Sequence, residues 1–237
     1  MPDRVLELDN KCVHVFSVET DAPDQVVSHF ELLLAAEETH RAAKFRVPHA
    51  RREFIVSRGT LRLLLSRYLG VPARDIAFRY APNGKPELAP QTLVQFSVSH
   101  SGNLTALAFA RDCPVGIDIE QIRDMPDLFE IASRFFFSGE TAEIANLVGS
   151  ERERAFFKHW TRKEACVKAT GEGLSAMPDA SSDWLVHDLA IAPDCAAALA
   201  YRGPGRPVLT YATIQAVELL EAIPNQRREA RNNAKPG

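Results

Sequence analysis

With 237 residues, 46% apolar and 25% charged, the chain has room for one large domain or two small ones and the composition of an ordinary soluble globular protein. A net charge of −3 supplies no global basic field, so no nucleic-acid partner is expected. The opening MPDRVLELDNKCVHVF lacks the basic stretch and unbroken apolar run of a secretory signal. No apolar run approaches the roughly 18 residues that span a bilayer, so a cytoplasmic protein without a membrane partner is expected.

In chain order, residues 11–18 alternate as a strand does. Asp24 stands where it would cap a helix carrying Val26, Val27, Phe30, Leu33 and Leu34. A basic stretch, 39–52, leads into a helix predicted over 51–69, stopped by Gly70 and Pro72. Residues 75–80 read as a strand and 81–84 as a turn. Residues 94–100 and 104–110 flank Ser-Gly-Asn as a hairpin, and 115–119 should continue its sheet. The second half opens with an amphipathic segment, 127–137, and a helix from Ser138. Ser150 and Glu153 have capping-box spacing for a helix over 151–170, which Gly171 and Gly173 would stop. Strands are predicted in WLVHDLAI, AAALAY and PVLTYAT, and the tail from 224 to 237 has too little apolar content to order. Each half holds a helix followed by strands, a pattern that admits two similar α+β lobes. Cys12, Cys113, Cys166 and Cys195 are far apart with no C-x-x-C pair, and read as free thiols in a reducing compartment.

The chemistry centres on VGIDIEQIR, 115–123. Asp118 and Glu120 stand at i and i+2 of a strand, on one face and about 6.6 Å apart along it. Alone they describe the solvated face of an edge strand. Read for chemistry, they are hard oxygen ligands for Mg2+, which would also relieve their repulsion. On the later helix Trp160, Glu164 and Lys168 form one stripe at i, i+4 and i+8. Spacing alone makes this a surface Glu–Lys pair beside a packed Trp. Lys158, Arg162, Lys163 and Lys168 nevertheless crowd one acid, an arrangement suited to a metal-bound phosphate ester. Taken singly, Lys85 is a turn lysine and His100 a hairpin residue. Arg41, Lys44, Arg46, Arg51, Arg52, Arg58 and Arg62 form either a solvated helix face or, in part, a phosphate clamp. No P-loop, G-x-G-x-x-G or G-x-S-x-G is present.

Taken in order and spacing, GKPEL, FSVSHSG, VGIDIE and FFKHWTRKEACVKATGEGL resemble the phosphopantetheinyl transferases that activate peptide and polyketide synthetases, over about residues 30–185. The resemblance implies an α+β pseudo-dimer, with similar lobes over 1–112 and 113–223 and coenzyme A in the cleft between them. It implies transfer of the 4′-phosphopantetheine arm to a serine of an apo acyl or peptidyl carrier protein by a monomer, releasing adenosine 3′,5′-bisphosphate. Asp118, Glu120 and Glu164 fall on the positions of the metal acids, for Mg2+ or Mn2+. Lys163 and Lys168 fall beside the pyrophosphate, Lys168 as proton donor to the leaving group. Glu164, directly or through a metal-bound water, is then the base in reach. Lys85, Pro86, Ser99 and His100 match positions that hold the nucleotide and its phosphates, and Arg41 and Arg79 match its 3′-phosphate. Phe129, Phe135, Phe136 and Phe137 are expected to divide between core and a carrier-facing surface. Two other classes compete: an Mg2+-dependent nucleotide pyrophosphate hydrolase and a non-catalytic carrier-binding module.

Overall fold

The computed structural model describes residues 6–82, 84–171, 183–203, 205 and 207–221; Gly173 and the tail from 224 lie outside them. The architecture is α+β with several sheets. The chain divides into two compact units.

One unit is helical. It gathers Thr20–Asp75, with helices α1 (Asp24–Glu31), α2 (Ala36–Ala43) and α3 (Pro48–Leu69), and the late helix α7 (Ala216–Glu221). Pro48 at the first turn starts α3 earlier than the apolar spacing predicts, and Gly70, at φ +68°, ends it. Gly59 lets α1 and α3 approach, because an added Cβ there would meet Phe30 Cβ at 2.7 Å. Asp24 does not cap α1. Pro23 occupies the cap position and its carbonyl takes the first amides, which frees the Asp24 carboxylate to pair with Arg52. Arg62 is no solvated residue. It is 1% exposed and its Nε donates to Glu38 Oε2 at 2.6 Å, while Nη1 donates to the Ala73 carbonyl at 2.8 Å. Arg58 Nε closes on the other Glu38 oxygen at 3.3 Å. Arg51 is likewise spent on Glu31.

The other unit carries two sheets. The first has the order β4-β5-β1-β9, from β4 (Val94–Ser101), β5 (Leu104–Arg111), β1 (Cys12–Glu19) and β9 (Val208–Ile214). The second has the order β6-β8-β7, from β6 (Val115–Gln121), β8 (Cys195–Tyr201) and β7 (Leu185–Asp188). A short hairpin of β2 (Ala77–Tyr80) and β3 (Pro86–Ala89) forms its own two-stranded sheet, with the Phe78 ring edge-on to Phe96 of β4. Period-two apolar residues close the core: Val13, Val15, Ala106, Ala108 and Ala110 from the first sheet meet Val115, Ile117, Ile119, Leu199 and Tyr201 from the second. Helix α6 (Gly149–Thr170) lies on the outer face of the second sheet, on Ala198 and Ala200, and carries α4 (Leu128–Phe135) and α5 (Ser138–Ala145).

Two sequence expectations are corrected here. Strand β6 does not continue the hairpin sheet but starts the second one, pairing with β8 in antiparallel register, Asp118 opposite Ala198. The Ser150–Glu153 capping box does not form. Helix α6 begins at Gly149 with Val148 in the cap position, so Ser150 already lies inside the helix. All four cysteines are free, Cys113 buried in the core. No helix among the described residues is long and apolar enough to cross a membrane.

Candidate active site

The site is built where β6 borders β4. Because β6 is an edge strand, every second amide along it has no strand to bond. Serines of β4 take those amides instead: Ser97 Oγ accepts from Ile117 N at 3.1 Å, Ser99 Oγ from Ile119 N at 3.3 Å and Ser101 Oγ from Gln121 N at 2.9 Å. Hydroxyls can therefore join the two sheets without a shared ladder. Two of these serines also donate onward, Ser99 to Asp118 Oδ1 at 2.8 Å and Ser101 to Glu120 Oε2 at 3.2 Å. Arg123 Nη1 reaches the same Glu120 oxygen at 3.3 Å.

Gly116 brings α6 down onto this strand. A Cβ added at Gly116 would lie 2.0 Å from the Ala165 carbonyl oxygen and 2.5 Å from Ala169 N, so only glycine permits the approach. The stripe Trp160, Glu164 and Lys168 is thereby set over Asp118 and Glu120. Together with Val98, Ser99 and His100 these residues line one pocket of about 390 Å3. Trp160 is fixed by stacking on Phe156, with ring centroids 6.1 Å apart, and by an edge contact with Phe135.

The pocket holds three carboxylates against one ammonium. Lys168 Nζ donates to Asp118 Oδ1 at 2.6 Å and to Ser99 Oγ at 2.7 Å. Asp118 is 2% exposed, and its Oδ2 is buried with no hydrogen-bond partner among the described residues. Burial pushes the Asp118 carboxyl above its ordinary value, and Lys168 pulls the other way. Glu164 is pushed up too, first by burial and then by the charge of Asp118. Among the described residues no three His, Cys, Asp or Glu side chains are drawn together as a finished metal cluster. The donor set nevertheless fits a hard divalent cation: an orphaned buried carboxylate oxygen, two acids held above their usual range, and oxygen ligands throughout.

Some residues singled out in the sequence lie elsewhere. Lys85 Nζ donates to the Lys168 carbonyl at 2.5 Å, in the last turn of α6, where a cation suits the helix dipole; burial pulls its pKa down. Pro86 opens β3 opposite Tyr80. Lys163 does not line the pocket: it is 5% exposed, bound to Glu140 Oε2 at 2.9 Å, and lies 4.1 Å over the Phe137 ring. Arg79 pairs along its own hairpin with Glu87 at 2.9 Å. Arg41 belongs to the helical unit, exposed, its guanidinium 5.3 Å from the Phe54 ring. Phe136 is core, whereas Phe129 and Phe137 are 43% and 47% exposed. Sequence reasoning missed Ser97 and Ser101. The available signal was their period of two, the same as that of the acids on β6.

Comparison with known proteins follows the same residues. Residues 114–205 match the family model described as 4′-phosphopantetheinyl transferase superfamily, and residues 21–112 the one described as 4′-phosphopantetheinyl transferase, N-terminal. The chain is 32% identical over 210 residues to the 4′-phosphopantetheinyl transferase HetI of Nostoc sp., covering 81% of this chain and 89% of that protein. It is 32% identical over 149 residues to 4′-phosphopantetheinyl transferase psf-1 of Bacillus pumilus, 63% of each chain. To 4′-phosphopantetheinyl transferase Sfp of Bacillus subtilis it is 28% identical over 176 residues, 73% of this chain and 77% of that one.

Proposed function

The chain belongs to the 4′-phosphopantetheinyl transferase superfamily, and from that premise we propose that it moves the 4′-phosphopantetheine arm of coenzyme A onto a serine of an apo acyl or peptidyl carrier protein, releasing adenosine 3′,5′-bisphosphate. The observation that carries this reading is the pocket of Asp118, Glu120, Glu164 and Lys168, where three acids share one ammonium and a buried Asp118 oxygen is unmatched. The lobes over 1–112 and 113–223 are part of the proposal, supported by two family models that meet at residues 112 and 114.

We assign Mg2+ or Mn2+ to Asp118, Glu120 and Glu164; when bound, it would neutralise the charge of the pyrophosphate. The chain's own residues do the rest. The carrier serine attacks the phosphorus bearing the pantetheine, and the bond from that phosphorus to the bridging oxygen breaks. Glu164, whose proton affinity is raised by burial and by Asp118, takes the serine proton. Lys168 gives a proton to the departing phosphate oxygen and stabilises its charge. Lys85, Pro86, Ser99 and His100 are assigned to the nucleotide and its phosphates. Lys163, Arg41 and Arg79 already have partners, so their part in binding coenzyme A requires those contacts to open. We place the enzyme, as a monomer, in the cytoplasm.

The test is an intact-mass shift on a panel of purified apo-carriers incubated with coenzyme A and Mg2+. A carrier that gains the arm, with no turnover in chelator, supports the reading. Cleavage of coenzyme A without any acceptor overturns it in favour of a pyrophosphate hydrolase. Lys168→Arg then separates two roles of that lysine: a guanidinium keeps the charge but not the proton transfer, so full activity removes the proton-donor assignment.

A further inference from the structure

Three serines of β4 perform one common task and differ in a second. Ser97, Ser99 and Ser101 each accept an edge amide of β6. Ser97 meets no carboxylate among its described bonds, Ser99 donates to the buried Asp118, and Ser101 donates to Glu120. Asp118 is short, 2% exposed, and also held by Lys168, so its position is fixed several times over. Glu120 is different. It is about a quarter exposed, with a longer side chain and more rotamers to lose when it ligates anything, and besides Ser101 its side-chain partner among the described residues is Arg123, itself half exposed. Ser101 fixes it economically: with the Gln121 amide lodged on its lone pair at 2.9 Å, the hydroxyl proton is left to aim at Glu120 Oε2, 3.2 Å away.

We propose that Ser101 is a positioning residue for Glu120, a hydroxyl that takes a backbone amide of β6 and holds the neighbouring carboxylate toward the pocket. The inference rests on the reading of Glu120 as a metal ligand. Ser101 touches neither substrate nor metal in this role, and acts by reducing what Glu120 loses on binding.

Ser97 supplies the internal control, since it is a rung of the same seam. The measurement is Mn2+ affinity of the full chain without coenzyme A, followed by the EPR signal of free Mn2+, with Tm recorded for each variant. Ser101→Ala should weaken Mn2+ binding by about fivefold, the size of one ordinary hydrogen bond, since the contact is long and Arg123 still holds the same oxygen. Ser101→Thr, which keeps the hydroxyl, should restore it. Ser97→Ala should lower Tm but leave Mn2+ affinity unchanged, and Ser101→Ala should add nothing in a Glu120→Ala background. Equal weakening by Ser97→Ala and Ser101→Ala would overturn the proposal, because the effect would then come from the seam as a whole. Unchanged affinity in Ser101→Ala, with Glu120→Ala damaging, would overturn positioning alone. Unchanged affinity in Glu120→Ala would overturn the ligand assignment and this proposal with it.

Discussion

Glu38 and Asp118 are two buried carboxylates in two units of one chain, 3% and 2% exposed, and their surroundings are opposite. Glu38 is surrounded by donors: Arg62 at 2.6 Å, Arg58 at 3.3 Å and the Ala35 amide at 2.9 Å, while Arg62 is itself completed by the Ala73 carbonyl. Asp118 has a lysine and a serine on one oxygen and no partner on the other, with Glu120 and Glu164 in the same pocket. Burying a charge is tolerable only when it is paired and its hydrogen bonds are met. The first carboxylate has a guanidinium against each oxygen, Arg62 hydrogen-bonded to Oε2 and Arg58 facing Oε1 as an ion pair without a hydrogen bond. The second has no cation at Oδ2 among the described residues, which is where the proposed metal would supply the missing charge. What differs is countercharge: each Glu38 oxygen faces a guanidinium, whereas only one Asp118 oxygen faces a cation.

Four substitutions break or sharpen the contrast. Asp118→Ala should remove turnover, a loss of at least about 10³-fold for a group at the developing charge. Circular dichroism and Tm should show the fold retained, since the substitution relieves crowding among acids. Full turnover would end the metal assignment. Arg62→Leu should do the reverse, costing stability by roughly 3–5 kcal/mol because Glu38 is left buried and short of a partner. Denaturant unfolding reads this, and an effect under about 1 kcal/mol would mean that Arg58 alone suffices for Glu38.

Glu164→Gln tests the sign of the electrostatics. In the folded protein Glu164 holds its proton above its ordinary value of 4.5, so its ionised form costs stability at neutral pH. That cost is complete above the raised value, shrinks as pH falls through it, and is gone below 4.5. The variant should therefore have a slightly higher Tm than the parent at pH 7 in chelator, with no advantage below that value. Saturating Mg2+ should favour the parent instead. A lower Tm at pH 7 in chelator would contradict the crowding. The smallest effect is expected at the surface: Phe129→Ala should raise the carrier KM severalfold and leave that of coenzyme A unchanged. Equal shifts in both would mark Phe129, which Arg152 covers at 5.0 Å, as structural.

The sequence by itself determined what depends on local repetition. Period-two runs placed the β4–β5 hairpin and β6, 3.6-residue spacing and glycine stops placed α3 and α6, and strand and helix geometry put Asp118 with Glu120 and Glu164 with Lys168 on one face each, while reading the four as one site came from the family resemblance. Only the tertiary structure decided partners. It took β6 out of the hairpin sheet, joined it to β4 through serine hydroxyls nineteen or twenty positions away, and set Lys168 on an acid fifty residues distant. It also turned Lys163 from the pocket to Glu140 and buried Arg62, though both read in sequence as members of basic clusters. The reason is physical. Periodicity follows from the backbone dihedrals of neighbouring residues, whereas the choice among several lysines or arginines for one carboxylate follows from which helix faces meet, and in α6 that was set by the absence of a Cβ at Gly116.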